Sequence, residues 1–366
     1  MLIIFGGSFD PPHKSHVDMA KYLSKIGKTL IIPAFCAPHK HGAAESFEDR
    51  VKMCEIAFGD IENVEISTIE KELGKKSYTL NTVKAIKETT KEPLALAIGD
   101  DMARSFDSWY HAEELAALCK IFVFARDGKT DLSALEKTGA DYKMLDFKPK
   151  CCASSGFRKT LDFSLLPQGV TQYIKANSLY GVEELYKREL RRLLGDKRYN
   201  HCLNVADEAK RLAKLYGANT RKAYTAGLLH DITKELPQKE QLQMADDFGI
   251  IMTDLEKRAP KLWHAITGAA FIQNSLEIKD AEIIDAVRYH TTAKKDMGLL
   301  CKILYLADYT SADRDYDGVE QMREAVDKSL DEAMLIATQF TVNDLASRGL
   351  PIHPDTVEAF KQYKKR

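Results

Sequence analysis

Leu2-Ile3-Ile4-Phe5-Gly6-Gly7-Ser8-Phe9-Asp10-Pro11-Pro12-His13-Lys14-Ser15-His16 is the stretch that decides how the chain begins to fold. Its first four residues are apolar and partly β-branched, which predicts a buried strand. The two glycines after it predict a turn whose backbone can approach a ligand closely. His13 and His16 stand three apart at the start of the next predicted helix and so share a face. Their imidazoles, with the unpaired N–H groups of that helix end, form a pocket suited to phosphate oxygens. Ligands of open α/β sheets bind at such carboxyl ends of strands. A bare Gly-Gly turn flanked by two surface histidines would carry no function. The complete string points to phosphate binding.

Outward from this stretch, strand candidates recur at Thr29–Pro33, Val64–Thr68, Leu94–Gly99, Ile121–Ala125 and Tyr142–Phe147. Amphipathic segments lie between them, such as Phe47–Phe58, where Ser46 and Asp49 are placed as a capping box. This alternation predicts a parallel sheet with helices on both faces. After about Val182 no strand pattern remains. Tyr199–Tyr216, Arg221–His230, Leu262–Leu276, Ala281–His290, Leu299–Tyr309 and Leu330–Ala346 all read with helical period. The change predicts two domains, 1–181 and 182–366, with the boundary in or beside a helix around Gln168–Leu179 and placed at Leu179-Tyr180-Gly181. A length of 366 residues agrees, since single cores rarely grow beyond about 250–300 residues.

Composition excludes several classes. The net charge is -1, from 53 basic and 54 acidic residues, and neither half is basic, so no nucleic-acid partner is expected. No apolar run reaches the roughly 18 residues of a membrane span. Met1–Phe5 reads as a strand and not as a signal peptide. The seven cysteines show no metal-type spacing, and Cys151-Cys152 are adjacent; reduced thiols in a cytoplasmic protein are the expectation. Cys36 and Cys54 read as packing residues, and His39, His41 and His111 as surface residues.

The first string resembles the Gly-x-Phe-Asp-Pro-x-His-x-Gly-His motif of the nucleotidylyltransferase superfamily, with Ser15 where that motif has glycine. Pro38-His39-Lys40, Arg50, Ser77-Tyr78-Thr79-Leu80-Asn81-Thr82, Gly99-Asp100-Asp101 with Trp109, Arg126, and Cys152-Ala153-Ser154-Ser155-Gly156-Phe157-Arg158 narrow the resemblance to bacterial nicotinate-nucleotide adenylyltransferases. The resemblance implies a Rossmann-like nucleotidylyltransferase fold and transfer of AMP from ATP, with Mg, to nicotinate mononucleotide. His13, His16, Lys40 and Arg158 would surround the ATP phosphates. Gly6, Gly7, Phe9, Asp10, Ser154, Ser155, Tyr78, Thr79, Asp101, Trp109 and Arg126 would complete the nucleotide site. Trp109 is also a candidate core residue; beside Gly99 and Asp101 it is read as stacking on a pyridine ring.

The helical half carries a second constellation: His201, His230-Asp231, His264, His290 and Asp308, with gaps of 29, 33, 26 and 18 residues. Such gaps put each position on a different helix, as in bundles that assemble metal sites from facing helices. Imidazole with carboxylate suits Fe, Mn, Co or Zn better than Ca or Mg. A pair of ions there could activate water and clamp a phosphoryl group. A lone histidine on a helix is usually structural, but four of the five histidines after residue 200 belong to this set. The strings Arg198-Tyr199-x-His201, His230-Asp231-x-x-Lys234, Trp263-His264-Ala265, Arg288-Tyr289-His290-Thr291-Thr292, Asp308-Tyr309 and Asp313-Arg314-Asp315 resemble the HD phosphohydrolase superfamily, and more narrowly its symmetrical diadenosine tetraphosphatase branch. So does Gly349-x-Pro351-Ile352-x-Pro354-Asp355-Thr356. The resemblance implies an all-α HD-domain bundle, a di-iron site, diadenosine tetraphosphate cleaved to two ADP, catalysis dependent on Asp231, and substrate phosphates held by Lys234 and Arg314.

Rival readings give different expectations. The first half could be a phosphopantetheine or cytidylyl transferase, which would leave the Ser77-Tyr78-Thr79 and Trp109 segments without a role. The second could act on a guanosine alarmone, a cyclic dinucleotide or a deoxynucleotide, or could sense nucleotides for the transferase without catalysis.

Overall fold

The computed structural model describes residues 1–36, 44–74, 76–125, 131–147 and 153–365. They form two compact units, Met1–Tyr173 and Ile174–Arg366. Pro38, His39, Lys40, His41, Arg126, Cys151 and Cys152 lie outside the described residues.

In the first unit six strands, β1 (Leu2–Gly7), β2 (Lys28–Pro33), β3 (Val64–Ile66), β4 (Leu94–Gly99), β5 (Lys120–Phe124) and β6 (Tyr142–Leu145), form one sheet in the order β3-β2-β1-β4-β5-β6. Every pairing is parallel. Strand side chains alternate between the two faces, and both faces are buried. Ile3, Phe5, Ala95, Ala97, Phe122 and Phe124 pack in one core with Met19, Leu23, Cys54 and Phe58. Leu2, Ile4, Leu94, Leu96, Ile121 and Val123 pack in another with Leu80, Val83, Ile86 and Leu115. The helices that cover the sheet include α1 (Lys14–Leu23), α2 (Phe47–Phe58), α3 (Ile69–Leu73), α4 (Thr79–Thr89), α5 (Asp100–Ala103), α6 (Ala112–Leu118), α7 (Ser133–Lys137) and α8 (Ser154–Thr160). Strand order reverses between β1 and β4, so a crevice opens at their carboxyl ends, above Gly7 and Gly99.

Two local expectations change. Ser46 does cap α2, accepting the Asp49 N–H at 3.1 Å, but the shorter Asp49 carboxylate takes the Ser46 hydroxyl, so the pair is a side-chain contact in place of the reciprocal box. Cys54 is buried as expected, whereas Cys36 is exposed because the chain has already left the sheet there.

Helix α9 (Gln168–Ala176) contains the division between the units. The second unit continues with α10 (Val182–Leu193), α11 (Asp196–Leu215), α12 (Thr220–Leu229), α13 (Gln238–Asp247), α14 (Asp254–Lys257), α15 (Pro260–Asn274), α16 (Ala281–Tyr289), α17 (Leu299–Thr310), α18 (Val319–Lys328), α19 (Leu330–Ser347) and α20 (Pro354–Lys364). No strand occurs among its described residues. The central packing is α11 against α12, and it is unusually close: a Cβ on Gly227 would fall 2.6 Å from the Ala206 Cα. Ala206 and Gly227 are both buried, so two small residues set the separation of the helices that carry His201 and His230. No helix among the described residues is long and apolar enough to cross a membrane.

Candidate functional sites

The crevice of the first unit is built on the loop between β1 and α1. Phe9 takes a positive φ of 45° and turns its ring under the loop, where it is buried against Phe5 and Phe58. Gly7 leaves space for that ring: a Cβ there would sit 3.1 Å from it. Gly6 is exposed, with open space where a side chain would point. Arg50, buried in α2, donates to the Ser8 carbonyl at 2.9 Å and holds the loop from below. Ser154 donates to the Pro11 carbonyl at 2.8 Å, and Arg158 donates to the Asp10 carbonyl with its guanidinium 3.8 Å from the buried Asp10 carboxylate. Helix α8 therefore begins one residue before the expected Ser155 and clamps the loop from above.

His13 and His16 are fixed by the helix end itself. The His13 Nδ1 accepts the His16 N–H at 3.3 Å, and the His16 Nδ1 accepts the His13 N–H at 3.2 Å. The rings stack with centroids 3.6 Å apart. A neutral imidazole that accepts at Nδ1 carries its proton on Nε2. Both side chains are thus set as Nε2–H donors. Ser15, the departure from the expected glycine, is buried in the first turn of α1.

Across the crevice, Tyr78 caps α4 and stacks on Tyr110, with centroids 4.5 Å apart; Thr79 is the first helical residue. Trp109 is half-buried against the core beside Phe106. Asp101 is exposed, and its Oδ1 comes so near Gly99 that a Cβ there would lie 2.5 Å away. The buried carboxylate is its neighbour Asp100, which accepts the Asp101 N–H at 2.9 Å.

In the helical unit the six candidate ligands come together from five helices or helix ends. His201 lies in α11, His230 caps α12 with Asp231 next to it, His264 lies in α15, His290 caps α16 and Asp308 lies in α17. All but the half-buried Asp308 are buried. Asp231 stands in the middle and faces two ways. Its Oδ2 is 3.4 Å from His230 Nε2 and 4.0 Å from His201 Nε2. Its Oδ1 is 3.1 Å from His264 Nε2 and 3.5 Å from His290 Nε2. Asp308 Oδ1 is 3.0 Å from His201 Nε2 and 3.9 Å from His230 Nε2.

The C-terminal ends of α12 and α16 orient two of these rings. His230 donates Nδ1–H to the Gly227 carbonyl and His290 to the Val287 carbonyl, both at 2.7 Å. Each is an i−3 carbonyl left over at a helix end. The Nε2 lone pair then points into the site, the arrangement that suits a metal ligand.

The site fits a divalent cation on the evidence of its own polar atoms. His201 Nε2, His230 Nε2 and Asp231 Oδ1 are buried and make no hydrogen bond of good geometry, even though His201 Nε2 and Asp231 Oδ1 have polar neighbours at 3.0 and 3.1 Å. Two sets of ligand atoms, from His201, His230 and Asp308 and from His230, Asp231 and His290, each lie within 4.8 Å of one another. Charge agrees. Burial pushes the Asp231 carboxyl up, but the His230, His264 and His290 imidazoles outweigh it and hold it well below the ordinary range. Burial acts on Asp308 in the same way, and His201, His230 and Arg314 outweigh it. Burial lowers His264 to about 4 and also lowers Lys234. The carboxylates stay ionised only with positive charge beside them, and a cation in the cage would supply it while the imidazoles stay neutral lone-pair donors.

Comparison with known proteins agrees with both halves. Residues 4–175 match the cytidylyltransferase-like family and residues 198–313 the HD domain. A Mycoplasma genitalium protein named "probable nicotinate-nucleotide adenylyltransferase/Ap4A hydrolase" is 30% identical over 356 residues, covering 93% of this chain and 98% of the relative. This chain belongs to the nicotinate-nucleotide adenylyltransferase/Ap4A hydrolase family. The halves also match separately. The symmetrical bis(5'-nucleosyl)-tetraphosphatase of Bacillus subtilis is 34% identical over 163 residues, covering 44% of this chain and 87% of that protein. A "probable nicotinate-nucleotide adenylyltransferase" of Listeria monocytogenes is 32% identical over 185 residues, covering 49% of this chain and 96% of that protein.

Within this adenylyltransferase/Ap4A hydrolase chain, Arg198, Asp313 and Glu70 take parts at the sites that the sequence did not assign, and Lys234 and Arg314, which it named, engage the cage itself. Arg198 donates to Asp231 Oδ2 at 2.8 Å. It stands in the string Arg198-Tyr199-x-His201, so its signal was present. Asp313 pairs with His201 Nδ1 at 2.8 Å and sits in the string with Arg314. Arg314 itself donates to both the carbonyl and the carboxylate of Asp308. Lys234 Nζ lies 3.0 Å from His264 Nε2. In the first unit, buried Glu70 accepts from the Phe35 N–H and from Thr82 Oγ1, both at 3.0 Å, and ties the loop after β2 to α4. Nothing in its sequence context marks it.

Proposed function

We propose that this chain is a bifunctional cytoplasmic enzyme that makes deamido-NAD from ATP and nicotinate mononucleotide and cleaves diadenosine tetraphosphate to two ADP. One observation carries the reading: a single chain holds a pair of Nε2–H donors above a parallel sheet and, separately, a cage of imidazole lone pairs and carboxylates among helices.

In the transferase half a phosphate oxygen of nicotinate mononucleotide attacks the α-phosphorus of ATP, and the bond to the leaving pyrophosphate breaks. This chemistry needs alignment and charge stabilisation more than a protein nucleophile. His13 and His16 donate to the phosphate oxygens, joined by Lys40 and Arg158, with Mg accompanying ATP. Gly6, Gly7, Asp10, Ser154 and Ser155 shape the loop that receives the nucleotide, and Phe9 supports it from beneath. Tyr78, Thr79 and Trp109 receive the nicotinate side, while Asp101 and Arg126 contact the nucleotide.

In the hydrolase half His201, His230, Asp231, His264, His290 and Asp308 hold two transition-metal ions, proposed to be iron. Bound divalent metal supplies water acidity and phosphoryl charge neutralisation. Asp231 spans the two halves of the cage with its two oxygens. The buried imidazoles exclude bulk water, and Lys234 and Arg314 hold the phosphate chain so that a middle phosphate occupies the cage.

The test is a product assay on the full chain. ATP with nicotinate mononucleotide should give deamido-NAD and pyrophosphate, and diadenosine tetraphosphate should give ADP alone. AMP with ATP would overturn the symmetrical cleavage. Hydrolysis only of guanosine alarmones or cyclic dinucleotides would overturn the substrate assignment.

A further inference from the structure

His201 is held differently from the other imidazoles of the helical site. His230 and His290 donate to backbone carbonyls, but His201 Nδ1 faces a carboxylate, Asp313 Oδ2, at 2.8 Å. Asp313 lies in the turn after α17, and its Oδ1 accepts the Ser311 hydroxyl at 2.9 Å. A carboxylate accepts more strongly than a carbonyl and makes the opposite ring nitrogen a better donor to a cation.

The other side of the cage is built from weaker parts. Lys234 Nζ lies 3.3 Å from His264 Nδ1 and 3.0 Å from its Nε2, where the ammonium competes for the imidazole lone pair. The carboxylate oxygen nearest this side is Asp231 Oδ1. Cations also approach the His201 side: Arg198 at Asp231 Oδ2 and Arg314 at Asp308. There, however, three carboxylates, Asp231, Asp308 and Asp313, face two guanidiniums. The His201 side is the more anionic and the more firmly oriented.

We infer that the two halves of the cage bind divalent cations unequally, the His201 half being the tighter, and that Asp313 is the positioning residue that sets this order. The inference rests on the two-ion reading above. One half then stays loaded while the other exchanges its ion.

Manganese(II) titrated calorimetrically into the full chain after chelator treatment tests it, with metal content measured in parallel. The wild type should take two ions with affinities about tenfold or more apart. Asp313→Ala should weaken the tighter ion about 10- to 100-fold and leave the weaker one unchanged. Asp313→Asn, whose amide oxygen still accepts the Nδ1–H, should recover part of the loss. His264→Ala should remove only the weaker ion. A thermal melt of each variant checks that it is folded. Two ions of equal affinity, or an unchanged tighter ion in folded Asp313→Ala, would overturn the inference and leave the two-ion reading standing. A wild type that binds fewer than two ions would overturn the two-ion reading itself.

Discussion

The two sites use the same side chain with opposite polarity. At the start of α1 the unpaired backbone groups are N–H donors, so His13 and His16 accept at Nδ1 and present Nε2–H. At the ends of α12 and α16 the unpaired groups are carbonyls, so His230 and His290 donate from Nδ1 and present an Nε2 lone pair. The first arrangement suits phosphate anions and the second suits cations. The helix end selects which ligand an imidazole can receive, before any neighbouring charge is considered.

If the sites are as separate as their construction, the largest effect is confined to one of them. Asp231→Ala removes the carboxylate that faces both halves of the cage, and hydrolysis of diadenosine tetraphosphate should fall to background while deamido-NAD synthesis is unchanged. Parallel assays of the two activities check this. A matching loss of synthesis in the folded variant would break the comparison.

The reciprocal substitution, His16→Ala, removes one Nε2–H donor. Loss of one such donor to developing charge costs roughly 2.7–4 kcal/mol, about a hundred- to a thousandfold in turnover. Steady-state kinetics should show that fall in the transferase and none in the hydrolase. Wild-type turnover would reduce His16 to a helix-capping residue.

Metal exchange sharpens the same contrast. After chelation, Mg alone should restore the transferase, because it serves there as the partner of ATP phosphates. An imidazole-rich cage favours transition metals, so Mg should leave the hydrolase inactive and iron or manganese should restore it. Equal rescue of both activities by Mg would contradict the assignment of the cage.

A smaller effect is expected from Gly227→Ala. The added methyl would lie 2.6 Å from the Ala206 Cα and must push α11 from α12. Overpacking of this kind costs about 1–3 kcal/mol. The melting of the helical unit should shift down and hydrolysis should weaken, with the transferase unaffected.

Much of this was legible in the sequence. All six strands fall where strands were expected; the four inner ones, β1, β2, β4 and β5, are apolar runs because a sheet covered on both faces needs them, whereas the edge strands β3 and β6 carry Glu65 and Lys143 and are only partly buried. The helices carrying the cage were equally plain: α11 and α16 bury one stripe, and α15 and α17, with the second half of α12, are apolar nearly all round because they lie inside the bundle. Helices α10, α13, α14, α18 and α20 were not foreseen; their sequences are more polar, and burial of a few residues such as Tyr186, Gln241, Glu256, Met322 and Thr356 holds them. At the sites, spacing singled out the histidines but could not give their protonation, which depends on a backbone partner. Of the adjacent carboxylates Asp100 and Asp101, the fold buries the first and leaves the second exposed, a difference that two neighbouring acids do not show in sequence. Asp313 stands in a marked string, but its partner His201 is 112 residues away and only folding brings them together; Glu70 has no local mark at all.

The claim that helix ends set the polarity of these imidazoles is tested most directly by ¹⁵N NMR of the histidine rings. The full chain at about pH 8, with diamagnetic zinc(II) in the helical site, would be assigned by single histidine substitutions. His13 and His16 should carry their proton on Nε2, and His230 and His290 on Nδ1. The same tautomer in both pairs would contradict the account.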